Sequence, residues 1–138
     1  MQLIKDASAE KLRGAYYTPP AIASFILHWG INGGKDADIL EPSCGDGVFL
    51  ECMRNENMLF NTVTAVEYEA AEADKARSLG LHDSEVINQD FHRFCLDTDK
   101  QFDLVVGNPP FIRYQYYDAA QQKLADEIFK NAKLKRTK

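Results

Sequence analysis

Residues 38–50 read Asp38-Ile39-Leu40-Glu41-Pro42-Ser43-Cys44-Gly45-Asp46-Gly47-Val48-Phe49-Leu50. Asp38-Ile39-Leu40 is a short apolar strand that halts at Glu41-Pro42, because proline has no N–H to give to a ladder. Gly45 and Gly47 let the backbone turn tightly and let a ligand come close. Asp46 stands where a helix N-cap is expected, and residues 48–57 follow as a helix. Strand, glycine turn and helix in this order make one unit of an alternating α/β chain.

The flanking segments repeat the alternation. Upstream, residues 21–29 are an apolar run after Pro19-Pro20, suited to a helix start, with Asn32-Gly33-Gly34 as its stop. Downstream, residues 62–66 are β-branched and apolar, a second strand. Residues 69–79 are rich in Ala, Glu and Lys and read as a helix stopped by Gly80. Residues 85–88 make a weaker third strand. Residues 102–106 make a fourth, which runs into Gly107-Asn108-Pro109-Pro110. Residues 117–133 have helical composition, with Leu124, Ile128 and Phe129 placed toward one face. Alternating units of this length predict a parallel sheet covered by helices.

Bulk properties narrow the function classes. The 138 residues suffice for one domain with a core. No window approaches the roughly 18–20 apolar residues of a membrane span. Residues 1–10 are polar and unlike a secretory signal, so a cytoplasmic location is expected. Cys44, Cys52 and Cys95 have no metal-like spacing and read as reduced thiols; no metal is expected. A net charge of −5 argues against nucleic-acid binding over the whole surface. The basic run Lys130, Lys133, Lys135, Arg136 and Lys138 is read as a solvated helix end that can also touch phosphates.

In parallel α/β sheets, ligands bind beyond the carboxyl ends of the strands. Glu41, Glu67, Asp90 and Asn108 fall at those ends. Residue 50 is Leu, so the Gly-x-Gly-x-x-Gly dinucleotide fingerprint is absent and a pyrophosphate is disfavoured. An acid ahead of the loop suits a ligand with an ammonium group. Glu67, 20 residues after Gly47, is spaced to accept ribose hydroxyls. Asp90 can accept from an adenine amino group, and Phe91 can lie on the base or serve as plain core. Amino acid, ribose and adenine, met in strand order, describe S-adenosylmethionine or a close relative.

Asn108-Pro109-Pro110-Phe111 is the sharpest signal. Two prolines after a buried strand fix a rigid turn. The Asn108 side-chain oxygen and the Pro109 carbonyl can then face one spot beside the cofactor. An amino group donating both hydrogens there is held with its lone pair toward an electrophilic methyl. Phe111 can stack on the ring bearing that amino group.

These motifs resemble those of the gamma-class N6-adenine DNA methyltransferases of bacterial restriction–modification systems. Residues 41–50 (EPSCGDGVFL) and 108–111 (NPPF) are similar to the family's first and fourth motifs. Residues 14–20 (GAYYTPP) resemble the motif this class places ahead of the first strand. The resemblance runs from about residue 13 to residue 111. It implies a Rossmann-like S-adenosylmethionine-dependent methyltransferase fold of class α/β, here with about four parallel strands and flanking helices. Tyr17, Thr18 and Pro19, with Glu41, Pro42, Ser43 and the Gly45 and Gly47 turn, would hold the methionine part. Glu67, with Tyr68 beside it, would take the ribose, and Asp90 and Phe91 the adenine. Asn108, Pro109, Pro110 and Phe111 would form the catalytic segment. The target base must leave the duplex to be reached.

The family's sheet has seven strands and a target-recognition region after it. Residues 1–138 therefore read as the front part of a catalytic domain: a helical segment at 1–35, a cofactor core at 36–111 and a helix at 112–138. Such a piece is expected to bind cofactor but to be inactive alone. DNA contact belongs to the full-length protein, and the fourth strand's open side offers a route to self-association. The competing expectations are an rRNA adenine or protein-glutamine N-methyltransferase, and a truncated non-catalytic module that binds cofactor or a partner.

Overall fold

The computed structural model describes residues 17–32, 36–110 and 117–134. The chain divides into two compact units, Tyr17–Pro109 and a second that joins Met1–Tyr16 to Pro110–Lys138. Phe111, residues 14–16, Gly33, Gly34, Lys135, Arg136 and Lys138 lie outside the described residues.

The larger unit runs α1 (Pro20–Ile31), β1 (Asp38–Glu41), α2 (Val48–Asn55), β2 (Thr62–Glu67), α3 (Ala70–Ser78), β3 (Ser84–Asn88), α4 (Phe91–Asp97) and β4 (Leu104–Val105). The strands form one sheet in the order β3-β2-β1-β4, and every pairing is parallel. The register sets Leu40 opposite Thr64 and Val105, and Glu67 opposite Asn88. The chain thus builds outward from β1 to β3, then crosses back to add β4 on the other side of β1. In open α/β sheets ligands bind at such a reversal, beyond the carboxyl ends of the strands, here those of β1 and β4.

Burial explains the pattern. Ile39, Val63 and Ala65 join Ala23 and Leu27 of α1, Phe49, Leu50 and Met53 of α2 and Ala76 of α3 in one core. Leu40 and Val66, one residue out of phase, form a smaller cluster with Phe94 of α4. β1 and β2 are covered on both faces, so consecutive residues are buried: Ile39 to Glu41 in β1 and Val63 to Val66 in β2.

Two local readings are corrected. Gly47, not Asp46, is the N-cap of α2, and no side chain caps it. Gly47 sits at φ 97°, and its carbonyl accepts the first helical bond from Glu51 N–H at 2.8 Å. A left-handed residue at this point leaves Asp46 one position too early to cap. Asp90 does not end the third strand, which stops at Asn88; it precedes Phe91, the first residue of α4. The Asp90 carboxylate caps that helix, accepting from His92 and Arg93 N–H. The expected glycine stop holds: Gly80 at φ 64° follows the end of α3.

In the second unit the described element is α5 (Ala119–Asn131). Asp118 and Gln121 close its start with a reciprocal capping box. Among the described residues, no helix is long and apolar enough to cross a membrane.

Candidate cofactor site

The glycine turn is held from β2. Cys44 N–H donates to Val66 O at 2.9 Å, and Gly47 N–H closes back on Cys44 O at 2.9 Å. Gly45 N–H donates to Glu67 Oε2 at 2.8 Å, while Glu69 N–H donates to Oε1 at 2.8 Å. Glu67 thus fastens the turn to the start of α3. Each carboxylate oxygen keeps acceptor capacity beyond the one bond it makes here.

The two glycines differ in purpose. A side chain at Gly47 would meet Leu79 Cδ1 at 2.6 Å and Ala76 Cβ at 3.1 Å. Its bareness serves helix packing, not ligand approach. Gly45, at φ 56°, has no atom within 4 Å of the place a Cβ would occupy. Only Gly45 leaves open room for a ligand over the backbone.

Glu41 ends β1 with 1 % of its surface exposed. Its Oε2, and the buried Oγ of Ser43, find no hydrogen-bond partner among the described residues. Buried polar atoms rarely go unpaired without a functional reason. Burial, with Glu67 and Asp46 adding negative charge, pushes the Glu41 carboxyl up to about 8. The Asp46 carboxyl is also raised, first by burial and then by Glu72. The Cys44 thiol is raised by burial and by Glu41 and Glu67, which keeps it neutral.

The segment ahead of α1 reaches the same neighbourhood. Thr18 is buried, and the exposed Tyr17 donates its hydroxyl to Glu72 Oε2 at 3.5 Å. Pro19 is the N-cap of α1, and Cys52 Sγ of α2 donates to Pro20 O at 3.5 Å.

At the ends of β2 and β3, Asn88 Nδ2 donates to the carbonyls of Glu67 and Tyr68, each at 2.8 Å. This clamp carried no sequence signal beyond an Asn at a strand end. Tyr68 is exposed at 62 %. Asp90 Oδ1 takes the N–H of His92 at 2.8 Å and that of Arg93 at 3.3 Å. Phe91 stacks on Phe94 with ring centroids 6.1 Å apart and packs on the Leu40–Val66 cluster.

Gly107, after β4, packs on the end of β1. A Cβ there would stand 3.3 Å from Pro42 Cδ and 3.6 Å from Glu41 Cγ. Asn108 and Pro109, the next residues in the chain, are exposed. Pro110 is exposed and belongs to the second unit.

A hollow of about 560 Å³ lies at the opposite, amino ends of the strands, lined among others by Asp38, Asn61, Thr62, Glu85, Lys100 and Phe102. Its groups are already paired: Asp38 Oδ1 accepts from Thr62 at 2.6 Å and Asn61 at 2.8 Å, and Lys100 meets Glu85 at 2.8 Å. Among the described residues, no group of three or more His, Cys, Asp or Glu could hold a metal.

A parallel sheet that reverses at β1, with an unpaired buried acid behind an open glycine turn, fits the fold of the S-adenosylmethionine-dependent methyltransferases. Solved structures agree on the fold. A Listeria monocytogenes protein assigned to class I of these enzymes superposes with a TM-score of 0.62 at 18 % identity, covering 83 % of this chain and 36 % of that one. A dimethyladenosine transferase from Plasmodium falciparum gives 0.56 at 16 % identity, covering 87 % and 40 %. The sequence profile of the N-6 DNA methylase family matches residues 2–138, and the chain belongs to that family. It is 33 % identical over 121 residues to the type II methyltransferase M.CvrRI of Paramecium bursaria Chlorella virus XZ-6E, covering 80 % of this chain and 30 % of the relative. It is 29 % identical over 122 residues to the type II methyltransferase M.HincII of Haemophilus influenzae, covering 86 % and 21 %. The chain therefore spans a fifth to a third of the length of these relatives. The cofactor that goes with this family is S-adenosylmethionine, and the unpaired Glu41 Oε2 and Ser43 Oγ fit its cationic, donor-bearing methionine end.

Proposed function

We propose that the full-length protein transfers the methyl group of S-adenosylmethionine to N6 of adenine in DNA, as the modification activity of a restriction–modification system. The observation that carries this reading is the packing of Gly107 on Pro42 and Glu41. It brings the chain entering Asn108 and Pro109 against the strand end that carries an acid suited to an ammonium group, which supports acceptor and donor of the methyl meeting there.

In this reading Tyr17, Thr18 and Pro19, with Glu41, Pro42, Ser43 and Gly45, surround the methionine end. Gly47 contributes by shaping the turn. Glu67 uses its remaining lone pairs on the ribose, with Tyr68 alongside. Asp90 reads the adenine amino group with the oxygen left over from helix capping, and Phe91 borders the base. The Asn108 side-chain oxygen and the Pro109 carbonyl accept the two hydrogens of the target amine, with Pro110 stiffening the turn and Phe111 stacking on the extruded base. The cofactor supplies an electrophilic methyl on sulfur. The protein supplies position and polarisation. Residues 36–111 are assigned to the cofactor core, with α1 before it and α5 after it in the chain.

The experiment is methyl-label transfer by the full-length protein to duplex DNA, to ribosomal RNA and to release factors, with nucleoside and amino-acid analysis of the product. N6-methyladenine from DNA is the expected product. Label in ribosomal RNA or in a glutamine amide would replace the substrate reading. No transfer, with cofactor still bound, would make the protein a binding module. In active protein, Asn108→Ala is expected to lower turnover far more than cofactor affinity.

A further inference from the structure

Glu41 combines two properties that ordinarily exclude each other. It is an acid 1 % exposed, yet its Oε2 has no hydrogen-bond partner among the described residues. An isolated ionised carboxylate so placed is far costlier than the neutral acid. Among the described residues its surroundings offer no relief. The charged groups that act on it, Glu67 from the end of β2 and Asp46 from the glycine turn, are both acids. Cys44 beside it is a neutral buried thiol. From the β4 side it is met by Gly107, and the ring of Pro42 lines the same contact. Ser43 Oγ, the other unpaired buried atom, is neutral as well.

We infer that Glu41 is a neutral acid in the ligand-free protein, and that seating the cofactor's ammonium end drives its proton into solvent. This rests on the cofactor reading given above. The balance is simple. The O–H bond of the carboxyl breaks, the proton passes to a buffer base, and the carboxylate left behind pairs with the incoming ammonium. A bare ion pair replaces an orphaned acid, so the cost of ionising Glu41 is met only by a ligand that brings a cation. Glu41 is therefore a specificity residue as well as a contact. A nucleoside without the amino-acid tail leaves the proton in place, and binds without the step that selects for the complete cofactor.

The test is titration calorimetry of the full-length protein at about pH 7 in phosphate and in Tris, whose ionisation enthalpies differ widely. The probes are S-adenosylhomocysteine and 5′-methylthioadenosine. Because the carboxyl is half-ionised only near pH 8, S-adenosylhomocysteine is expected to release about 0.9 proton, and methylthioadenosine none. Affinity for S-adenosylhomocysteine should rise roughly tenfold per pH unit from about pH 6 to about pH 7.5. Glu41→Gln, an uncharged mimic of the neutral acid, should still fold, bind S-adenosylhomocysteine more weakly, release no proton and show no such pH dependence. Equal heats in both buffers with a pH-independent Kd would overturn proton release while leaving the cofactor reading intact. Proton release that persists in Glu41→Gln would assign the proton to another group and overturn the inference. Failure of S-adenosylhomocysteine to bind at all would remove the cofactor reading, and this inference with it.

Discussion

The backbone N–H of Gly45 donates to Glu67 Oε2 at 2.8 Å, so the glycine turn after β1 hangs on the last side chain of β2. The partner oxygen takes Glu69 N–H at the head of α3. A residue proposed to hold the ribose is thereby also the fastening that shapes the turn proposed to lie under the cofactor.

Glu67→Ala is therefore expected to do two things. Cofactor affinity should fall by about 1–3 kcal/mol, the scale of a charge-assisted hydrogen-bond pair. Stability should fall as well, because two backbone N–H groups lose their acceptor. Glu67→Gln, which keeps one carbonyl oxygen, should recover part of the stability and little of the affinity. Calorimetry paired with urea titration separates the two effects; unchanged affinity in the alanine variant would remove Glu67 from the cofactor site.

The glycines of the turn predict a second split. Gly47→Ala combines φ 97° with an overlap of 2.6 Å on Leu79 Cδ1, and should destabilise by about 2–4 kcal/mol. Gly45→Ala places a methyl in open space at φ 56°, and should cost only about 1 kcal/mol. Its added methyl stands where the cofactor is proposed to pass, so its effect should fall on affinity. Equal stability losses in the two variants would contradict the division of roles.

The order of elements was legible because each strand is bounded by residues with a strong physical preference. Pro42 halts β1, Gly80 ends α3, and two prolines follow β4. Periodicity could not reveal α4, because seven residues give barely two turns and its two phenylalanines, Phe91 and Phe94, suit a strand as well. For the same reason Asp90 looked like a strand end when it is a helix cap. Asp46 and Gly47 exchanged roles because the deciding quantity was a positive φ, which a sequence shows only as glycine. The acids at the strand ends were readable as positions. That Glu67 would spend a bond on Gly45, or that Glu41 would be left without a partner, depends on burial and register that only the folded chain supplies.

The raised carboxyl of Glu41 makes stability depend on pH in a direction unusual for an acid. Between the ordinary value near 4.5 and the folded-state value of about 8, the folded chain holds this proton and the unfolded chain does not. Stability from Glu41 is thus full below about pH 4.5 and is lost progressively as pH rises through about 8. The half-buried Asp38 and the exposed Glu56 work oppositely, since their partners hold both carboxyls below the usual range. Their contribution is present above that range and lost in acid. Urea midpoints should therefore fall between about pH 6 and about pH 8.5, by an amount on the order of a few kcal/mol. Glu41→Gln should flatten that slope. A midpoint that rises over the same interval would contradict burial of the neutral acid.

The last prediction concerns the β4 side of the sheet. β4 ends the strand order, and among the described residues nothing pairs with its outer side. Pairing with β1 extends past its two residues: Asp103 N–H donates to Asp38 O at 2.8 Å and Val106 N–H to Leu40 O at 2.9 Å. Val105 is 60 % exposed. α1 borders the same strand, since Gly30 lies against the Leu104 side chain. Ile22, Phe25 and Trp29, three and four residues apart on one face of that helix, are exposed at 51 %, 70 % and 79 %. An open apolar edge beside an apolar helix face is a template for association. The 138-residue chain taken alone is expected to self-associate, and to transfer no methyl group to DNA. Val105→Lys together with Trp29→Glu should shift it toward monomer without loss of helix content. Light scattering that shows a monomer for the unsubstituted chain at about 50 μM, a concentration where contacts worth about 6 kcal/mol are populated, would refute the association. N6-methyladenine formed by this chain alone would refute its inactivity.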